Sequence, residues 1–194
     1  MTDVIDTLAG LAPGSPFSKA RDNRPEARKH AQASYDALFV DADFNGVSKQ
    51  ERFAVASFVA GLHGRPETAD YYKGKLAEAG ASPALQGAVA AEIAAAKGKG
   101  PYGNYPKGPL SAENAPGPQH RANTEALGRR LASAFEHTHM LVFHPRDAAP
   151  PSLQAMLDAG WSTTDVVVLS QLVSFLSFQI RVVAGLKVLA GASR

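Results

Sequence analysis

The sequence predicts an all-α protein, and three observations carry that prediction. Apolar residues recur at three- and four-residue intervals through the long segments, the spacing that lines one face of a helix. Helix openings are marked by a capping residue or a first-turn proline, as at Ser48, Pro66, Ser82-Pro83 and Pro150-Pro151. Strand patterns are nearly absent, and the short run Met140 to Phe143 is the one stretch that reads as extended.

A first helix is expected from Pro25 to Leu38, with Glu26 favoured near the positive end of its dipole. The arm before it, LAPGSPFSKARDNR, is punctuated by glycine and proline and is expected to drape over the fold without regular structure. Ser48 and Glu51 form a capping box for the next helix, whose apolar positions are Phe53, Val55, Ala56, Val59, Ala60 and Leu62. Gly64 ends that helix, Pro66 begins another, and Gly80 stops the second near Ala79. The alanine-rich segment after Ser82-Pro83 is a strong helix former that dies at Gly98. Residues 98–120, GKGPYGNYPKGPLSAENAPGPQH, cannot continue it. So long a loop in a compact domain is uncommon, which leaves a solvated linker or a flap that covers a pocket or a neighbouring subunit, anchored by Tyr102 and Tyr105. Arg121 to Glu136 is helical again, a short helix starts at Pro150-Pro151 and closes at Gly160, and Ser162 with Asp165 caps a long terminal helix.

The chain has 194 residues, 45% of them hydrophobic, enough for a single domain with one core. Twenty basic against eighteen acidic side chains give a net charge of +2 without a dense basic run, so a nucleic-acid surface is not indicated. The absence of cysteine removes disulfides, thiolate nucleophiles and cysteine-bound metal together. The opening MTDVIDTLAGL lacks the basic and apolar regions of a signal peptide. Val166 to Ala190 is apolar enough to span a bilayer, but Ser170, Ser174, Ser177 and Arg181 share one face of that helix. A polar face suits packing against another helix or subunit better than lipid, so the expectation is a soluble, cytoplasmic protein with no membrane partner.

Two segments carry a family resemblance. The stretch VSKQERFAVASFVAGLHGRPETADYY, residues 47–72, resembles the helix, glycine turn and helix of the carboxymuconolactone decarboxylase and AhpD-like alkylhydroperoxidase superfamily. The tail LDAGWSTTDVVVLSQLVSFLSFQIRVVAGL, residues 157–186, is similar to a pattern of its peroxidase-related members, with Trp161, Asp165, Gln171, Phe175, Phe178 and Arg181 in place. That family keeps a Cys-x-x-Cys-x-x-x-His motif and an upstream glutamate; aligned on His63-Gly64, the cysteine positions fall on Arg65 and Thr68, the histidine on Tyr72 and the glutamate on Phe53. The resemblance therefore implies an oligomeric AhpD-like fold, as a dimer, trimer or hexamer, without thiol peroxidase activity. The decarboxylase branch works by acid/base chemistry on a lactone acid. Two functions follow: a non-catalytic oligomeric binding protein, partnered by a small acidic ligand or a catalytic relative, or a non-redox acid/base enzyme of decarboxylase or lactone type acting on a small acidic molecule.

His63, Arg65, Tyr72, His137 and His139 are the catalytic candidates, and Arg65, Tyr72, Tyr102, Tyr105 and Arg181 the candidates for holding a ligand. Arg65 could grip a carboxylate in fork geometry and Tyr72 could donate a proton, against the alternative that both are ordinary groups filling a dead site. Glu67 and Tyr71 stand beside them, and Glu51 is better explained as the cap partner of Ser48. His137, His139 and His144 form H-x-H-x4-H, and in an extended strand the first two would point the same way, with Glu136 or Asp147 near. A histidine-lined pocket wall or interface loop is preferred to a metal there, no cofactor is expected, and the HPRD turn could be pinned by an Arg146–Asp147 pair. Arg181 lies in sequence among Phe178, Ile180, Val182 and Val183, so it is expected to be embedded and to meet a carboxylate, carbonyl groups or water.

Overall fold

The capping-box helix organises the molecule. Ser48 Oγ accepts from the Glu51 N–H and the Glu51 carboxylate accepts from the Ser48 N–H, so the first turn is satisfied before any tertiary contact forms. The helix that follows, Lys49–Leu62, has residues 53–60 all buried, which requires neighbours on every side. The computed structural model describes residues 3–192 and shows where those neighbours come from. The helices are α1 (Val4–Ala9), α2 (Pro16–Ala20), α3 (Pro25–Phe39), α4 (Lys49–Leu62), α5 (Pro66–Glu78), α6 (Pro83–Ala95), α7 (Thr124–Phe143), α8 (Pro150–Asp158) and α9 (Thr163–Ala192). Among the described residues there is no strand, only an isolated bridge between Gly103 and Ala115, and the class is all-α.

α4 packs against α5, α6, α7 and α9, and α3 and α1 close the remaining side of α9. Aromatic pairs fix the layers: Phe58 stacks on Phe135 of α7 at 4.3 Å, and Phe39 of α3 stacks on Phe53 at 5.0 Å. Gly61 lets α6 approach closely, because a Cβ there would lie 2.5 Å from Ile93. Gly64 turns the chain from α4 into α5 with φ +61°, the left-handed conformation expected of a helix-ending glycine. Capping by Ser82 and the reciprocal Ser162–Asp165 pair likewise follow the sequence reading.

Three expectations are corrected. Met140 to Phe143 is the last turn of α7 rather than a strand, because the helix that begins at Thr124, bent at Gly128, runs on while its buried face meets α4 and α9. The N-terminal arm is partly regular: α2 and a 3-10 turn, Arg21–Asn23, are held by Arg21, which bridges to Asp3 and Asp6 at 2.6 Å, and by Arg28, which meets Asp6 at 2.7 Å. Arg146 does not pair with Asp147; its guanidinium stacks on Tyr105 at 4.1 Å, while Asp147 accepts from the Asn104 N–H. Met1 and Thr2 of the opening segment lie outside the described residues. By length and composition α9 could cross a membrane, and 44% of its most apolar window is buried against the other helices.

Candidate functional site

The loop at residues 98–120 folds back over the end of α7. Tyr102 donates its N–H to the Phe143 carbonyl and its hydroxyl to the Pro118 carbonyl, and its ring stacks on His144 at 4.9 Å. This is the anchoring role expected of Tyr102, exercised on the chain's own helix. Two cavities lie near this strap.

The first is a cleft of about 400 Å³ where His63, at the end of α4, faces α9 and the start of the strap. Ser174, Ser177 and Arg181 line it from α9, and Gly100, Pro101 and Phe143 form its apolar wall. His63 Nε2 lies 3.2 Å from Ser177 Oγ, across 114 residues of sequence. Burial, with Arg181 and then Arg65 adding repulsion, lowers the His63 pKa from 6.5 to about 4, so the imidazole is neutral at physiological pH. Arg181 is exposed rather than embedded, because it sits on the outer edge of α9 and donates to the Ser177 carbonyl at 2.9 Å. Of the polar face read from Ser170, Ser174, Ser177 and Arg181, Ser170 meets His137 of α7 and Ser177 meets His63, whereas Ser174 and Arg181 are exposed.

The second cavity, about 300 Å³, lies on the other side of α7 and is lined by His120, His137, His144, Arg121, Glu136 and Asp147. Glu92 of α6 accepts from His120 Nε2 at 2.7 Å and from the Asn123 N–H at 2.9 Å, and both side chains of the Glu92–His120 pair are buried. His139 packs between His120, His144 and Phe143. Its pKa is lowered to about 4, mainly by burial, while burial also lowers those of His137 and His144. Because α7 is helical here, His137 and His139 diverge: one reaches Ser170 of α9, the other the His120 ring. Among the described residues no group of three His, Asp or Glu could hold a metal ion.

The candidates drawn from the family resemblance do not converge. Tyr72 is fully buried and donates to Gln179 Oε1 at 2.6 Å, in a core that includes Phe39 and Tyr71. Arg65 is exposed beside a separate hollow with Thr68, Ile180 and Lys187, where Glu67 pairs with Lys187. Tyr105 carries Arg146 and does not line either cavity. Sequence reasoning missed Glu92 and His120. The available signal was a lone acid in the alanine-rich helix, three residues after buried Val89 and four before buried Ala96.

Comparison with known proteins adds no relative, since no family model, curated protein or solved structure matches the chain.

Proposed function

We propose that the protein is a cysteine-less, AhpD-like helical protein without thiol peroxidase activity that binds a small organic anion in the cleft between His63 and Arg181. The observation that carries this reading is a neutral imidazole held among cations and hydroxyls. Burial is the main cause of the lowered His63 pKa, and Arg181, which adds to it, favours an anion in the cleft while donating to the Ser177 carbonyl. Ser174 and Ser177 add hydroxyl partners, and the Pro101 and Phe143 wall suits an apolar body behind the charged group.

Non-redox acid/base chemistry is the activity this arrangement supports. A carboxylate docked near Arg181 offsets the repulsion on His63 and raises its proton affinity, so the base is strengthened only when the ligand is present. His63 then takes a proton from the carbon next to the carboxyl group and becomes imidazolium, while the C–H electron pair passes into the carboxyl group as an enediolate whose oxygens Arg181 holds.

Titration with benzoate, followed at the His63 ring nitrogens by NMR, tests the binding. Saturable binding should weaken by about tenfold or more in Arg181→Ala, as expected for a charge-assisted hydrogen bond. Unchanged affinity in that variant, or no binding of small carboxylates, would overturn the cleft as a site. Hydrogen–deuterium exchange at the CH2 group of phenylacetate, which unlike benzoate carries hydrogen on the carbon next to its carboxyl group, tests the chemistry and should be lost in His63→Gln. Binding without exchange would favour the second reading, a non-catalytic oligomeric partner. What supports that reading is the outer face of α9, where Val167, Phe178 and Val188 are 55%, 45% and 71% exposed.

A further inference from the structure

The cavity on the other side of α7 has a different chemistry from the His63 cleft, and its hydrogen bonds determine which. Ser170 Oγ donates its proton to the Val166 carbonyl at 2.7 Å, so toward His137 Nε2, at 2.9 Å, it can only accept. His137 therefore carries its proton on Nε2, and Nδ1 bears a lone pair. That atom is buried and has no partner among the described residues, in a side chain 5% exposed on the cavity wall. Glu92 acts likewise on His120: its carboxylate accepts from Nε2, fixing the tautomer and leaving Nδ1 as the ring's acceptor.

Two imidazoles whose Nε2 atoms are engaged thus line one small space, and His137 brings to it an unpartnered, buried Nδ1. Glu136 and Asp147 line the same space and add carboxylate oxygens, with Arg121 paired to Glu136 at 3.4 Å. The lining is rich in acceptors and carries one more negative than positive formal charge: Glu136 and Asp147 against Arg121. An orphaned buried acceptor is costly, and a ligand that donates hydrogen bonds removes the cost. The acceptors do not form a metal-binding group among the described residues, so an organic cation fits them better than an inorganic one.

We propose that this cavity is a second binding site, for a small protonated amine, with Glu92 and Ser170 as positioning residues that hold His120 and His137 as acceptors. The ammonium donates to the Nδ1 atoms, its charge is met by Glu136 and Asp147, and the side chains of Met140 and Ala155 flank its carbon body. The proposal is independent of the anion site, because the two cavities share no lining residue.

Histidine-selective ¹H–¹⁵N NMR on the full chain tests it at neutral pH, with ethanolammonium chloride as the probe and sodium chloride and sodium benzoate as controls. The free protein should show Nε2–H tautomers at His120 and His137. Ethanolammonium should shift their Nδ1 resonances saturably while leaving His63 in place, and Glu136→Gln should weaken this by about tenfold. Glu92→Gln should keep the fold by circular dichroism yet loosen the His120 tautomer and reduce affinity. An Nδ1–H tautomer at either residue, a response no different from sodium chloride, or stoichiometric uptake of zinc chloride alone at these nitrogens would overturn the proposal. Benzoate is read at His63 and the amine at His120 and His137, so failure of one site is distinguishable from failure of the other.

Discussion

The Tyr72 hydroxyl donates to Gln179 Oε1 at 2.6 Å, with both side chains fully buried between α5 and α9. The position that the family resemblance matched to a catalytic histidine is thus a polar clamp in the core. Burial also pushes the Tyr72 pKa well above its ordinary value, so it is neither acid nor base at physiological pH. Tyr72→Phe leaves the Gln179 oxygen unpaired and should cost about 1–3 kcal/mol. Tyr72→Phe with Gln179→Leu should recover much of that loss, because two apolar partners leave nothing unsatisfied. Thermal denaturation of the single and double variants measures both effects, and unchanged benzoate binding in Tyr72→Phe would separate this clamp from the His63 cleft.

Acid should destabilise the protein in a defined window. His63 and His139 titrate at about 4 in the fold against 6.5 in the unfolded chain. Protons therefore bind the unfolded state first, so the contribution of these two histidines is full above pH 6.5, falls as pH drops from 6.5 toward 4, and levels off below. His139→Phe should flatten the dependence of melting temperature on pH across that window. Parallel profiles in variant and parent would place the titration elsewhere.

The strap over α7 depends on a glycine. A Cβ on Gly117 would lie 2.2 Å from the Tyr102 ring, which cannot move without leaving its stack on His144. Gly117→Ala should lower stability by about 1–3 kcal/mol, the usual range for overpacking. It should also speed limited proteolysis within residues 98–120, whereas an unchanged cleavage rate would show that the Tyr102 stack does not hold the loop.

The outer face of α9 supplies a test of association. If Phe178 and Val188 are covered by a second copy, Phe178→Lys with Val188→Lys should reduce the mass found by light scattering to that of one chain without loss of helical signal. A monomeric parent protein at micromolar concentration would refute the oligomeric reading.

Much of the helical architecture was legible because its signals are local. Ser48 and Glu51 sit three residues apart, Gly64 and Pro66 punctuate one turn, and Ser162 and Asp165 close another, so each boundary depends only on neighbours along the chain. The pattern failed where packing overrode it. Met140 to Phe143 reads as extended but remains helical because its buried face is carried by the α7 residues before it.

The sites were less legible. His63 and Arg181 were recognisable by residue type, yet their meeting at one cleft requires α9 to run past the end of α4. Glu92 and His120 gave almost no signal, since a single acid among alanines acquires its partner only when the strap returns to α6.

The amino-acid order by itself determined the helical class, the caps and turns that bound most helices, and the absence of any thiol chemistry. Tertiary structure alone decided that Tyr72 belongs to the core, that Arg181 faces outward, and that His63 lines one cavity while His120, His137 and His144 line another. The reason is one of range: capping and periodicity act within a few residues, whereas His63–Ser177 and Tyr72–Gln179 join positions 114 and 107 residues apart. Such pairs exist only after burial of the helix faces has fixed which elements touch.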